Sequence, residues 1–363
     1  MDRGQRKSMI KIKIEKRFYI SKGQELYIIL ASIILALLSG ALMLGLMGVN
    51  PWEAYGMMLK GSLSDFYGIS ETLAKTIPLV MCSLAVGLAF TMVVWNIGAE
   101  GQFVMGALAC TAFVRYFYTD SAIVMLASMA VASSLAGGFW GAFAGFLKAR
   151  WNVNEIITTL MMNYIAILLL QYFVYGSWRD PTSLGFPMTP VFPESARLPQ
   201  FFASRVHAGL FFALIVALIL WIVVRKGVWG YEIRVSGQNP RAADYAGIKS
   251  ARNVILVMFL SGAIAGLAGM AEMAGLHRRL QPGFAVGYGY TAIIIAWLAR
   301  LHPFTIIFVS FFFGALFVGG ENLQIAMRLP LSTVQILQGL ILFFLLGGEF
   351  FRSYRISLTF KKR

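Results

Sequence analysis

Residues 26–47 form an apolar run with no charged side chain, and nine further apolar runs follow at 76–95, 103–118, 121–147, 156–176, 207–224, 253–276, 288–299, 304–320 and 333–348. A helix needs about 20 apolar residues to cross the hydrocarbon of a bilayer. The longest runs meet that requirement, and 103–118 and 288–299 are short. Hydrophobic residues make up 58% of the chain and charged ones only 13%, about half the charged share of a soluble domain. One soluble core cannot bury that much apolar surface. The runs are continuously apolar, not alternating, which excludes a membrane β-barrel. Backbone groups in lipid must pair within their own segment, so the runs are helices. The expected fold is all-α: a polytopic bundle of about ten spans with short or broken helices in each half.

Charge placement orders the spans. The basic N-terminal segment 1–25 carries Arg3, Arg6, Lys7, Lys11, Lys13, Lys16, Arg17 and Lys22, and the run after it is too long for a signal-peptide core. With ten crossings and a cytoplasmic N-terminus, the inner segments hold 22 Lys and Arg and the outer ones 8, as the positive-inside rule requires. Both termini then lie in the cytoplasm. The net charge of +15 is explained by this orientation, so nucleic acid is not an expected partner; the bilayer is. The expected organisation is a basic segment 1–25, one transmembrane domain 26–348 with a cytoplasmic loop 225–252, and a basic tail 349–363. Cys82 and Cys110 sit inside apolar runs, where a disulfide framework is not expected.

Two polar, glycine-rich interruptions fall at membrane depth: NIGAEGQ at 96–102 and PGFAVGYGY at 282–290. Each precedes a short run. Paired short or glycine-broken segments in two halves of a transporter point to a translocation pathway. Asn96, Glu100, Gln102, Tyr288 and Tyr290 are the candidate pathway residues: amides to bond hydroxyls, aromatics to stack a base. Ionisable groups in or beside the spans are Glu100, Arg115, Glu155, Glu272 and Glu321, each costly in lipid. Glu272 has Arg278 and Arg279 as candidate partners. Gly137, Gly141 and Gly145, with Gly262 and Gly266, recur at four-residue spacing, which lets helices approach closely.

The loop 225–252 contains NPRAADYAGI. Asn239 suits an N-cap, Pro240 the first helical position and Gly247 the stop. Ala242, Ala243 and Ala246 give a small-residue patch for a docking protein. The chain has no GxxxxGK[ST], HExxH, Cys-x-x-Cys or GxSxG motif. His207, His277 and His302 are scattered near span ends. No enzyme active site is expected.

The segments NIGAEGQFVMGALA (96–109), VNEIITTLMMNYIA (153–166), GYEIRVSGQNPRAADYAGI (230–248), SGAIAGLAGMAE (261–272) and GYGYTAIIIAWLARLHP (287–303) together resemble the permease subunits of bacterial ABC importers for simple sugars and nucleosides, in the superfamily of ribose and branched-chain amino-acid permeases. The match covers most of the chain from the second run onward; His302–Pro303 departs from the usual Asn-Pro. The resemblance implies alternating access in the bacterial cytoplasmic membrane. It implies a second permease, homologous or identical, and an ABC ATPase with tandem nucleotide-binding domains that holds ATP and Mg. No cofactor would bind this chain directly. An extracytoplasmic binding lipoprotein or periplasmic protein would deliver a nucleoside or simple sugar. Gly237, Asn239, Pro240, Ala242, Ala243, Gly247 and Ile248 match the loop that docks on the ATPase. Alternative readings are a permease for branched-chain amino acids or another small solute, a secondary transporter, and a membrane receptor or scaffold without flux.

Overall fold

The computed structural model describes residues 9–17, 21–201 and 203–361. The apolar runs are helices: α1 (Lys22–Leu46), α3 (Phe66–Thr91), α4 (Ala99–Tyr116), α5 (Ala122–Trp151), α6 (Glu155–Tyr175), α7 (Gly209–Lys226), α10 (Ser250–Glu272), α11 (Tyr288–Leu298), α12 (Pro303–Met327) and α13 (Leu331–Ser353). Between them lie α2 (Pro51–Leu63), α8 (Val228–Gln238) and α9 (Pro240–Tyr245). Eight of these helices are long and apolar enough to cross a membrane: α1, α3, α5, α6, α7, α10, α12 and α13. The chain is a multi-pass membrane protein.

The described chain divides into two compact bodies, Lys60–Val318 and the pair of segments Met1–Leu59 with Gly319–Arg363. In the first, α3 is the central helix; 89% of its most apolar window is buried. Around it, α4, α5 and α10 meet along the expected glycine seam. A Cβ on Gly262 would fall inside the Gly137 carbonyl and 3.2 Å from Gly138 Cα. Gly106 and Gly266 are pressed together in the same way, backbone to backbone. Ser133 Oγ donates to the Gly106 carbonyl at 2.9 Å across the seam. Cys82 and Cys110 are free and buried.

The two short helices differ in kind. α4 begins inside the first polar break and its 18 residues rise about 27 Å. α11 has 11 residues and rises about 16 Å, half a hydrocarbon core. The chain before it, from Arg278 to Gly287, is non-helical. Leu280 and Thr189 exchange hydrogen bonds at 2.9 Å at one end of the body. Phe284 then stacks on Phe103 of α4, with ring centroids 5.3 Å apart, and Trp297 near the end of α11 lies 5.7 Å from Trp95 and 6.0 Å from Phe90 at the opposite end. Irregular backbone at this depth is tolerated because protein surrounds it. The run 288–299 is therefore too short to cross as a helix by itself.

In the second body, α1 starts on a capping box, Ser21 accepting from Gln24 N while Gln24 reaches back to Ser21 N. Arg352 of α13 pairs with Glu349 and, at 3.4 Å, with Glu25 of α1. The terminal segments, read from sequence only as basic, pair as antiparallel strands β1 (Met9–Lys16) and β2 (Tyr354–Lys361), in register Met9 to Lys361.

Candidate functional site

The first break runs from Met92 to Gly98, with Val93 in the left-handed region (φ 57°). It turns the end of α3 into the start of α4. Asn96 organises it. Its Oδ1 accepts from Gly98 N at 3.0 Å and from Gln102 Nε2 at 3.1 Å. Its Nδ2 donates to Gln102 Oε1 at 3.0 Å and to Ser261 Oγ of α10 at 2.8 Å. Ser261 Oγ in turn donates to the Ala85 carbonyl of α3 at 2.7 Å. One amide pair and one hydroxyl thus tie three helices together.

Asn163 of α6 completes the junction. Its Oδ1 accepts from Gly101 N at 2.8 Å, satisfying a first-turn donor of α4 that has no partner in its own helix. Its Nδ2 donates to the Ile97 carbonyl at 2.9 Å and to Tyr290 Oη at 3.2 Å. Asn163 and Ser261 are fully buried and were not selected from sequence. Both stand inside continuous apolar runs and carry no charge, so neither the glycine-rich breaks nor the ionisable groups point to them.

Glu100 joins the two breaks. Its Oε1 accepts from Gly287 N at 3.1 Å and its Oε2 from Gly289 N at 2.6 Å. Both donors belong to the start of α11, so the carboxylate caps that helix while standing in the first turn of α4. Each helix N-terminus carries about half a positive charge, and one buried carboxylate serves both. Gly287 is held at φ 88° to make the turn. A Cβ on Gly289 would lie 2.6 Å from Glu100 Cα, so the approach needs glycine. Glu100→Ala leaves two buried N–H groups unpaired at about 1–3 kcal/mol each. The expected result is a lowered melting temperature of the detergent-solubilised protein, with Glu100→Gln intermediate; a melt equal to wild type would contradict the cap.

All five residues selected as pathway candidates gather at this seam. Asn96, Glu100, Gln102 and Tyr288 are buried, the first three in hydrogen bonds to protein and Tyr288 against the rings of Phe103 and Phe317 at 5.8 and 6.1 Å. Tyr290 alone is open, 36% exposed. Two other buried carboxylates, Glu272 and Glu155, have partners of their own. Glu272 lies 3.3 Å from His277 Nε2, not beside an arginine. The helix continues past it as a π-turn, Met273–His277, which brings residue 277 back toward it, while Arg278 donates to Gln200 Oε1 at 2.7 Å. Glu155 pairs with Lys148 at 2.7 Å. His207 is fully buried, not interfacial, its Nδ1 accepting from Gly209 N. Among the described residues no cluster of His, Cys, Asp or Glu could hold a metal.

The helix punctuation expected at 239–247 is present in α9. Asn239 Oδ1 accepts from Ala242 N at 3.1 Å, Pro240 opens the helix and Gly247 ends it at φ 80°. Arg241, Ala242, Asp244 and Ala246 are exposed and Tyr245 projects, 98% exposed, while Ala243 is buried. Ile248 N bonds back to the Ala243 carbonyl at 2.9 Å. Gly237 belongs to a different contact: a Cβ there would sit 2.5 Å from the Met92 carbonyl carbon. The helix before α9 is therefore seated on the backbone of the first break.

The family model described as "Branched-chain amino acid transport system / permease component" matches residues 68–346. The chain is 37% identical over 343 residues to a glucose ABC transporter permease protein of Haloferax volcanii, covering 92% of this chain and 90% of that one. It is 32% identical over 350 residues to a guanosine ABC transporter permease protein of Bacillus subtilis, covering 94% and 98%. It is 27% identical over 335 residues to a nucleoside ABC transporter permease protein of Lactococcus lactis subsp. cremoris, covering 90% and 92%.

Proposed function

Since the chain belongs to the permease components of the branched-chain amino acid transport system family, we propose that it is the membrane subunit of an ATP-driven importer that carries a nucleoside or a simple sugar. The chemistry of ATP, with its Mg, belongs to an ABC ATPase partner, and a substrate-binding protein delivers the solute. A second permease, homologous or identical, completes the pathway. The α8–α9 side faces the cytoplasm together with both termini.

The observation that carries this reading is the seat of α8–α9 on the first break. Closure of the ATPase domains would press on the exposed surface of α9. The Gly237–Met92 contact passes that displacement to residues 92–98, and from there to the Asn96–Gln102–Ser261 junction and, through Glu100, to α11. In the resting form the junction is closed by its own hydrogen bonds. In the transporting form the same amides and Tyr290 exchange those partners for ligand hydroxyls. The names of the three relatives, for glucose, guanosine and nucleosides, support a polyhydroxylated cargo over a branched-chain amino acid.

The substrate class is tested by uptake into vesicles holding the assembled importer. Labelled guanosine or glucose should enter saturably and be competed by its own class but not by leucine. Uptake of leucine in preference to both would overturn the substrate assignment.

A further inference from the structure

Tyr164 is 55% exposed in the middle of α6. It stands nine residues from Glu155 and eleven from Tyr175, about 14 and 17 Å along the axis. It therefore sits near the midplane of a hydrocarbon core about 30 Å thick. Tyrosines exposed to lipid gather at the two interfaces, where Tyr172 and Tyr175 lie at the end of the same helix. Tyr164 has no such place. Its depth is that of the Asn96 junction: the adjacent Asn163 donates to Tyr290 Oη at 3.2 Å, and Tyr290 is seven residues, about 10 Å, before Trp297 on α11. Tyr164 lies within electrostatic reach of Tyr290, which is itself 36% exposed. Among the described residues the Tyr164 hydroxyl makes no hydrogen bond, and the Tyr290 hydroxyl accepts from Asn163 and donates to nothing. Two phenolic protons without acceptors are costly against lipid at this depth. Water or a polar ligand satisfies them.

We infer that Tyr164 is a solute contact in the middle of the membrane, forming with Tyr290 a water-facing aromatic pair that meets the ring and hydroxyls of a passing nucleoside or monosaccharide, an inference that rests on the importer reading for its cargo class. The position of Tyr164 on its helix supports this. Ile157, Met161, Ile165 and Leu168 form the exposed apolar stripe of α6. At about 100° per residue, Tyr164 falls on the border of that stripe nearest Asn163. Gln171, half-exposed and seven residues on, falls on the same border, and its amide has no hydrogen bond among the described residues. A polar edge about 10 Å long thus runs along α6 from the Tyr164–Tyr290 pair. The chemistry suits an uncharged polyhydroxylated ligand. Each phenol can donate to and accept from a ligand hydroxyl. The rings offer faces to a base or to the apolar face of a sugar, and stacking of this kind tolerates different bases. Glu100, close to Tyr290, is taken up by the Gly287 and Gly289 N–H groups, so the ammonium of an amino acid meets no free carboxylate there.

The test uses the importer assembled in proteoliposomes with its ATPase and binding protein, and a Tyr164→Cys permease labelled by a membrane-impermeant cationic methanethiosulfonate. Cys82 and Cys110 are buried and contribute little background. The thiolate is the reacting form, and it forms only where water reaches. Tyr164→Cys should therefore react at least about tenfold faster than Leu168→Cys on the apolar stripe. Guanosine or glucose should slow that labelling about fivefold, as mass action gives when solute fills about four sites in five, and leucine should not. In uptake, Tyr164→Phe keeps the ring and removes one hydrogen bond; it should raise KM about fivefold with kcat little changed. Tyr172→Phe, at the end of the same helix, should behave as wild type. Labelling no faster than that of Leu168→Cys, labelling that neither solute slows, or a wild-type KM in Tyr164→Phe would overturn the contact. Labelling that appears only in the separated permease would place Tyr164 between two permeases and overturn it equally. ATP-driven uptake by the wild type alongside unprotected labelling leaves the importer reading standing without the contact. Protected labelling with no ATP-driven uptake does the reverse.

Discussion

Replacing Asn239–Gly247 by a Gly-Ser linker of equal length is expected to lower ATP-driven uptake on the order of 100-fold, the loss of a coupling free energy of about 3 kcal/mol, with the membrane bundle still folded. The segment contributes little to the core: its single buried residue is Ala243. What it supplies is shape. The Asn239 cap, the proline at the first position and the left-handed Gly247 fix one short helix, and its exposed alanines let a partner come close to the backbone. A flexible linker keeps the connection between α8 and α10 but presents no surface and transmits no displacement to Met92. ATPase co-purification should fall with uptake, while the melting temperature of the isolated permease should not. Asn239→Ala alone, a cap loss of about 1 kcal/mol, should give a partial version of the same result. Unchanged uptake with an intact ATPase complex would remove the coupling role of α9.

The second large effect concerns the seam. Gly262→Leu is expected to prevent recovery of folded protein altogether. The Cβ alone collides with the Gly137 carbonyl, and carbonyls of a helix cannot rotate aside as a side chain can. Overpacking typically costs about 1–3 kcal/mol and more where backbones must part. A displaced α10 also strains the Asn96–Ser261 bond, and a displaced α5 carries Ser133 away from Gly106 of α4. The loss should exceed about 4 kcal/mol, a large part of the roughly 5–15 kcal/mol that holds a protein folded. Gly339→Leu is the control, since nothing lies within 4 Å of a Cβ there. The measurement is size-exclusion recovery from detergent extracts; a monodisperse Gly262→Leu protein would show that the helices do not depend on this approach.

Helix existence was legible because a bilayer demands apolar runs, but helix ends were not. The run 76–95 marks a helix that starts at Phe66. Its first turns hold Ser70, Glu71, Thr72 and Lys75, which lower hydropathy yet belong to a helix capped by Asp65 and packed in protein. α4 likewise begins in the polar sequence AEGQ, because its first-turn donors are met by Asn96 and Asn163 and not by lipid-facing residues. α2 lay hidden in a segment assigned to an outer loop, its apolar residues diluted by Glu53, Lys60 and glycines. The terminal strands carried a signal, the alternation of MIKIKIEK, that the basic composition masked.

At the site, the local features were readable and the distant ones were not. The cap of α9 is written in consecutive residues, Asn239 to Ala242. Glu100 was singled out as a costly carboxylate, but its partners lie 187 and 189 residues away and are backbone groups, which sequence cannot rank. Ser261 is 165 residues from Asn96. The resemblance groups Gly237 with the docking residues, although its own contact is inward, on Met92. Glycine-rich breaks therefore located the junction, and the fold assigned its bonds.

The central claim is that ATP hydrolysis by a partner moves solute through this chain. It is tested most directly by uptake into proteoliposomes containing the permease and its ATPase, with ATP held constant and an uncoupler added. The account predicts uptake that depends on ATP and is unchanged by the uncoupler. Uptake that collapses with the uncoupler while ATP remains would contradict it and identify a secondary transporter instead.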